Sequence, residues 1–483
     1  MTSTEPTLTP VRFSRLSRRG VLLGLTPPQL ACFGVAVAAL LAGLYTGGAA
    51  GAIFTAPVWA SAAVVAWFPA AGQPAIQWAP VVLHWLLRRA RRQTSYRRRI
   101  TRPRPAGTLA LPGDAAALRL VRHEESGAAM IHDPHAATLT AMLEVRHRAF
   151  LLLDPGEQER RAHAWGRVLA TVCRSTRIHR VQVLERTLPD TGTGLAEWWR
   201  REGNDDGSWA SRVYSELIGR AGPAGERHAT IIALSLDLRA ASRAIRSAGG
   251  GLKGAAEVLR QDMDTLTTAL RAASLNPTPW YRPDQVAVVL RTAYDPAATG
   301  TLDRNPGTGR DLAAAGPVAI EERWDRMRSD SAHHAVFWVS EWPRSEVYPG
   351  FLSPLLLTSG VRRAVTLIYD PVRPDVAARS IRRQKVGHAS DAAQRAKIGQ
   401  IEDAAITAEY ADVLQREADL TRGHGILRRA GFIAVSGATL DELDSGCAAV
   451  EQAAIQASLE TRRCYGQQSQ AFAAAALPLC RGI

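Results

Sequence analysis

The chain has 483 residues, a formal net charge of +14, a pI near 10.2 and 46% hydrophobic residues. Such basicity invites a nucleic-acid reading, but residues 1–113 hold thirteen Arg, no Lys and one acid, Glu5, so the remaining 370 residues carry only about +2. Bulk charge therefore gives no ground for direct nucleic-acid binding, and five cysteines (Cys32, Cys173, Cys447, Cys464, Cys480) without a CxxC pair argue against a disulfide framework or zinc site.

The first element is "SRLSRRGVLLGLTPPQL", Ser14 to Leu30. Paired arginines ahead of an apolar run fit a twin-arginine export signal or the cytoplasmic edge of a membrane anchor. The following residues favour the anchor: no Asp, Glu, Lys or Arg occurs between Arg19 and Arg88, a stretch far longer than the ~7–15-residue core of a cleavable signal. Two spans are expected, about 29–47 and 53–68, joined by a turn at "GGAAGA"; the segment after Phe68, with Trp78 and Trp85, suits the membrane interface. Gly43, Gly47 and Gly51 form GxxxGxxxG, which either packs the two helices closely or only makes the turn. Arg12, Arg15, Arg18 and Arg19 precede the hairpin, and nine arginines from Arg88 to Arg104 follow it. Basic flanks stay cytoplasmic, so a multi-pass protein of the cell membrane is expected with both termini inside, its arginines against anionic lipid.

Residues 1–104 thus read as basic flanks and hairpin, 105–115 as a Pro- and Gly-rich linker, and 116–483 as a cytoplasmic α+β domain, with a possible internal division near 225–330. Strands are expected over 117–124, 128–133, 137–145, 149–154, 178–187, 228–236, 334–343, 364–372 and 431–438. Helices are expected from Pro155, across 194–221 with a break at "GNDDG", over 252–275, through a long polar insertion at 374–420, and after a capping box of Thr439 and Glu442. The fold class is an N-terminal two-helix hairpin followed by antiparallel or mixed sheets with packed helices. No short-period repeat is visible.

Catalytic chemistry is not expected, and no catalytic, cofactor-binding or metal-binding residue is assigned. "AGGGLKGAA" around Lys253 lacks the Ser or Thr that follows the lysine of a phosphate-binding loop, and it joins two helices. His132, Asp133 and His135 flank Pro134 in a turn, and His333 and His334 are neighbours in the sequence; adjacency alone does not make a metal site. "GNDDG" lacks the pattern of a calcium loop. Trp198 and Trp199 read as packing residues in a core or an interface.

Three stretches carry a family resemblance. "ATLTAMLEVRHRAFLLLDPGEQERRAHAWGRVLATV", "HAVFWVSEWPRSEVYPGFLSPLLL" and the segment from "GHGILRRAGFIAVSGATLDELDSG" to "ALPL" resemble the N-terminal domain of type IV secretion ATPases of the CagE/TrbE/TraC group. The anchor resembles the PrgI-like membrane hairpin, and together they look like an actinobacterial family of integral membrane proteins of conjugative elements. The nucleotide-binding motor of that family has no counterpart here. The resemblance implies a non-catalytic membrane scaffold that docks a motor ATPase encoded separately, beside other channel subunits and in an oligomeric complex. The alternatives are an accessory membrane subunit of a type VII secretion system, or a membrane-tethered enzyme of unrecognised type. The apolar stretch from Gly466 to Leu479 is expected to be an exposed docking surface for the motor, unless it folds back on its own sheet.

Overall fold

The computed structural model describes the chain except residues 1–8, 14–24, 71–72, 100, 102–106, 148, 191, 205, 222–224, 306, 308–310, 399–403, 423 and 483. Arg15, Arg18, Arg19, Arg102 and Arg104 of the basic flanks, and Asp205 of "GNDDG", lie outside the described residues. Two compact units result: one of residues 14–94 with 465–467, the other of 1–13, 95–464 and 468–483. Residues 225–330 fall wholly inside the second unit.

The smaller unit holds one merged helix, Pro27–Phe54, then Ala56–Trp67, a two-residue ladder of β1 (Pro69–Ala70) with β2 (Gln73–Pro74), and the helix Ala75–Ala90.

The larger unit is built on a 13-stranded sheet. Its strands are β3 (Ser95–Arg97), β4 (Arg119–Arg122), β5 (Ala129–Asp133), β6 (Thr138–Arg146), β7 (Ile178–Pro189), β8 (Glu226–Asp237), β9 (Asn276–Pro277), β10 (Ala319–Glu322), β11 (Met327–Ser329), β12 (Ala332–Glu341), β13 (Arg362–Val372), β14 (Ile426–Gly437) and β15 (Glu460–Arg463). The order is β3-β10-β11-β12-β14-β13-β7-β8-β6-β5-β4, with β15 beside β12 and β9 beside β6. Every pairing is antiparallel. The expected α+β domain is therefore present, and its sheet is antiparallel throughout.

This order contains an internal duplication. The run β4, β5, β6, helix, β7, two helices, β8, helix, β9, helix recurs as β10, β11, β12, helix, β13, two helices, β14, helix, β15, helix, once the first half's extra short helices Ser242–Ser247 (after β8) and Ala298–Arg304 (after Pro283–Tyr294) are set aside. Within each half the neighbours repeat as well: β7-β8-β6 with β9 outside matches β13-β14-β12 with β15 outside. The halves join through β7 and β13, where Val183 pairs with Leu367, flanked by Gln182 with Ile368 and Leu184 with Thr366. A local twofold through the Val183–Leu367 pair exchanges Gln182 with Thr366 and Leu184 with Ile368. The period is far longer than a short-period search detects, and the paired segments share pattern, not wording.

Alternation along the strands divides the apolar side chains between two faces. On β8, Ile231 and Ala233 point to an inner core, while Ile232, Leu234 and Leu236 point outward to another. The inner core takes residues from both halves and is filled by the helices Pro283–Tyr294 and Gln468–Ala476. The outer face of the first half is covered by Gly251–Ala272 and Pro155–Arg174, that of the second by Leu440–Gln456. The last of these starts as expected: Thr439 Oγ1 accepts from Glu442 N at 3.2 Å, although the Glu442 carboxylate accepts from Ala438 N (2.8 Å) and not from the cap itself.

Several expectations are corrected. Residues 149–154 are not a strand; Phe150–Leu152 is a single 3₁₀ turn with Leu152 at 87% exposure, because no neighbouring strand is left for an apolar run that ends at Asp154 and the helix-starting Pro155. The stretch read as a linker is partly core: Leu109 and Leu111 are fully buried, and Thr108 bridges to Arg119 at the edge of β4. The run from Gly466 to Leu479 is not an exposed patch. Phe472, Ala474, Ala475 and Leu477 lie in the inner core. Its lack of amphipathicity reflects burial on all sides.

Candidate functional site: the apolar hairpin and its flanks

Within the smaller unit, Pro27 and Pro28 open the long helix, and Thr26 N donates to Gln29 Oε1 (3.0 Å), satisfying groups that a helix start leaves free. The helix is broken at Gly47 and Gly48; Gly48 has φ +57°, a left-handed geometry that costs glycine little. The two arms turn back on each other there. Gln29 Nε2 donates to the carbonyl of Ala66 (3.1 Å), and the rings of Phe33 and Trp67 meet edge to face at 5.9 Å. Near the turn Gly43 and Gly51 face one another: a Cβ on Gly43 would stand 2.6 Å from the carbonyl oxygen of Gly51, and one on Gly51 would run into that of Gly43. The GxxxGxxxG glycines divide between the two roles: Gly47 makes part of the turn, while Gly43 and Gly51 allow the close approach.

Outward from this seam Val35, Leu41, Leu44, Ile53, Val58 and Val64 are exposed. In water that surface would be an aggregation site; in lipid it is matched, because the backbone groups are satisfied within the helices. Among the described residues one helix, Pro27–Phe54, is long and apolar enough to cross a membrane. The second expected span is not shown: Ala56–Trp67 has 12 residues and is set off from the preceding turn by Thr55. The segment expected at the interface is the helix Ala75–Ala90, which exposes Leu83, Leu86 and Leu87 and carries Arg88 and Arg89 in its last turn.

The chain on either side of this hairpin is part of the larger unit. Upstream, Val11 and Val347 exchange both backbone hydrogen bonds (2.7 and 3.1 Å), Arg12 pairs with Glu346 (3.0 Å), and the Thr9 hydroxyl bonds to Glu159. Phe13 packs on Trp342 and Phe351, with the guanidinium of Arg429 at 3.9 Å from its ring and 4.8 Å from that of Trp342. Burial lowers the Arg429 pKa to about 10, which leaves it charged at neutral pH. Downstream, Ser95–Arg97 adds to the sheet beside β10. No sequence signal marks Arg429 as the clasp, since its partners Phe13 and Trp342 lie far away in the chain.

The side chains weighed for chemistry are not brought together. Lys253 is exposed at a helix start and pairs with Glu124 (3.4 Å). Asp133 Oδ1 accepts from the amides of His135 and Ala136, closing the turn, and Arg481 lies 3.7 Å from its other oxygen. His334 is fully buried away from His333; its Nε2 meets Ser329 Oγ (2.7 Å) and its Nδ1 meets Ser436 Oγ (2.8 Å). Burial pushes its pKa down to about 4. Ser329 gives its own proton to the carbonyl of Tyr294 (2.6 Å), so Nε2 is the donor to Ser329, and Ser436 donates to Nδ1. The five cysteines are free, and burial raises the thiols of Cys447, Cys464 and Cys480, which makes them poor nucleophiles. Trp199 packs against Tyr214 with ring centroids 4.7 Å apart and the planes tilted by 56°. No group of three or more His, Cys, Asp or Glu suited to a metal occurs among the described residues.

No curated protein matches the chain. A family model described as "Putative type VII ESX secretion system translocon, EccE" matches residues 224–339, from the start of β8 through the helices of the first half to most of β12. Over that segment the chain is similar to a membrane-associated secretion component of the type VII kind; the type IV resemblance receives no support from it.

Proposed function

We propose that this chain is a non-catalytic membrane subunit of a type VII-like secretion machine. Its apolar hairpin enters the bilayer and returns, and its α+β unit forms a platform for a motor ATPase carried by another chain and for further channel subunits. The similarity over 224–339 supports the machine. The observation that carries the topology is that Val11–Phe13, before the hairpin, and Ser95–Arg97, after it, belong to one folded unit. A chain whose two flanks share one fold must cross the membrane an even number of times. The arginines at 88, 89, 91 and 92 support a cytoplasmic side facing anionic lipid. No G-x-x-x-x-G-K-[ST] sequence occurs within these 483 residues.

The test is protease added to intact protoplasts, followed by native purification and identification of co-purifying chains. The reading requires that the soluble unit be spared until lysis and that an ATPase with a phosphate-binding loop co-purify. Digestion from outside, or recovery without any such ATPase, overturns it.

A further inference from the structure

Both halves of the duplicated unit insert a helix pair at the same place, and both pairs expose apolar side chains, Val386 (64%) and Leu414 in the second half among them. In the second half, Pro374–Ile398 and Ala404–Thr421 hold each other through Lys385 and Glu417 (2.8 Å) and Arg416 and Gln384 (3.1 Å), with Val413 buried. In the first half, Thr193–Glu202 and Trp209–Ala221 meet through Trp199 and Tyr214, but the second helix is turned the wrong way for a soluble surface. Ser211 and Ile218 form its buried side, while Trp209 (73% exposed), Val213 and Leu217 (56%) form a stripe at four-residue spacing on the opposite side. Trp198 and Leu195 of the neighbouring helix are exposed too.

The charges beside this stripe indicate what covers it. Arg212, Glu216 and Arg220 line one flank of the helix, alternating in sign, and Glu216 pairs with Arg220 (2.6 Å) at an exposed site where a second cation can still approach it. A helix lying on an anionic bilayer would carry a uniformly basic flank. Arg212 and Glu216, opposite in sign and one turn apart, are instead complementary to the same two residues of a copy run antiparallel. About a twofold axis near Val213, Trp209 comes beside Leu217 of the copy, and Arg212 comes within reach of Glu216 of the copy, twice over. Trp, Tyr and Arg are also the residues that dominate interface energies, and an isologous contact needs this self-complementarity. We propose that a second copy of this chain covers the stripe, so that the subunit works as a twofold dimer through the helix Trp209–Ala221. This rests on the exposed stripe and its charges, independently of the machine to which the protein belongs.

The experiment uses the full chain in detergent. Val213→Cys, near the axis, should give a disulfide-linked dimer on mild oxidation; the parent chain and Ile455→Cys, exposed on another helix, should not. Leu217→Glu should weaken self-association about 30-fold or more, the size of a central interface truncation, with far-UV circular dichroism unchanged. Arg212→Glu alone and Glu216→Arg alone should each weaken it, and the double charge reversal should restore it. Because Arg212 and Glu216 also stand one turn apart on the same helix, mixing the two single variants, which should associate with each other although neither associates well with itself, separates contact between copies from a pair within one helix. A monomeric mass for the parent chain, no cross-link at Val213→Cys, or failure of the double reversal to restore association overturns the proposal. A stripe that instead binds vesicles or a different subunit would produce those failures.

Discussion

Val183 and Leu367 pair at the centre of the sheet, where β7 of the first half runs antiparallel to β13 of the second. Around that pair, equivalent positions hold the same object. Gln182 Nε2 donates to the carbonyls of Ala474 (3.2 Å) and Leu477 (2.9 Å), its Oε1 accepts from Cys480 N (2.7 Å), and Thr366, its counterpart, donates to the carbonyl of Ala475 (2.7 Å). The chain's final segment thus crosses the local twofold and is held by both halves, so the duplication is joined by hydrogen bonds as well as by strand pairing.

Gln182 is completely buried, so replacing it with Leu takes a partner from the carbonyl of Ala474 and from the amide of Cys480, and leaves the carbonyl of Leu477 with only Leu479 N (2.9 Å). Each such orphan costs ~1–3 kcal/mol, and Gln182→Leu should lower stability by about 3 kcal/mol or more. Thr366→Val breaks one bond and should cost about 1–2 kcal/mol. Denaturant titration of the two variants checks the order; equal effects would mean that the segment is not held as described.

Much of this fold was legible, and what escaped did so for identifiable reasons. The strands around Ile131, Ala233 and Val435 are apolar runs of ordinary length closed by turn residues, and period and propensity find such runs. The helix Pro283–Tyr294 was missed although Pro283 and Asp284 mark its start, because an apolar run such as Val286–Leu290 is ambiguous in period. β10, β11 and β15 have 3 or 4 residues and draw their pairing from neighbours remote in sequence. For the site, the apolar hairpin and its basic flanks were plain, since composition alone carries them. The clasp of Phe13 and Arg429 and the outward stripe on Trp209–Ala221 exist only through tertiary placement. An apolar residue that faces outward reads like one that faces the core.

His334 makes stability depend on pH. Its neutral ring satisfies Ser329 and Ser436, and burial holds its pKa at about 4, against 6.5 for a free histidine. The unfolded chain therefore binds this proton more readily between those values. The stabilising contribution is complete above pH 6.5 and is lost as pH falls toward 4, by about 3 kcal/mol. Burial also lowers His132, His179 and His333, which act in the same direction. His334→Gln should be less stable at pH 7 yet show a shallower loss between pH 6.5 and 4. Parallel stability-against-pH curves for the two proteins would exclude this role.

The contact of Gly43 with Gly51 predicts a position-specific effect in the hairpin. Gly51→Val places methyl groups where the carbonyl of Gly43 lies, so the arms must separate, whereas Gly34 has nothing within 4 Å of its would-be Cβ and should accept Val freely. Spin labels at positions 33 and 67, where the rings now meet, should report a longer and broader distance distribution in Gly51→Val and an unchanged one in Gly34→Val. The same response in both would mean that the glycines only make the turn.

The end of the chain supplies the sharpest test of how the protein is built. Phe472 is 1% exposed and packs against His334 (4.6 Å between ring centroids) and Tyr294 (5.1 Å), and Leu477, Leu479 and Cys480 continue the inner core beside it. Removing residues 466–483 would uncover the inner face of both halves at once and leave Gln182 and Thr366 facing a void. Such a truncation should yield an insoluble or molten soluble unit, a much larger effect than the loss of a docking tail. Phe472→Ala, which keeps the backbone bonds, should cost about 3–5 kcal/mol through the cavity it leaves. Trimming only residues 482 and 483, beyond the buried run, should change stability by less than about 0.5 kcal/mol. Thermal unfolding followed by near-ultraviolet circular dichroism distinguishes these outcomes. A cooperative, near-native transition after removal of 466–483 would restore the tail as a free docking segment and overturn its place in the core.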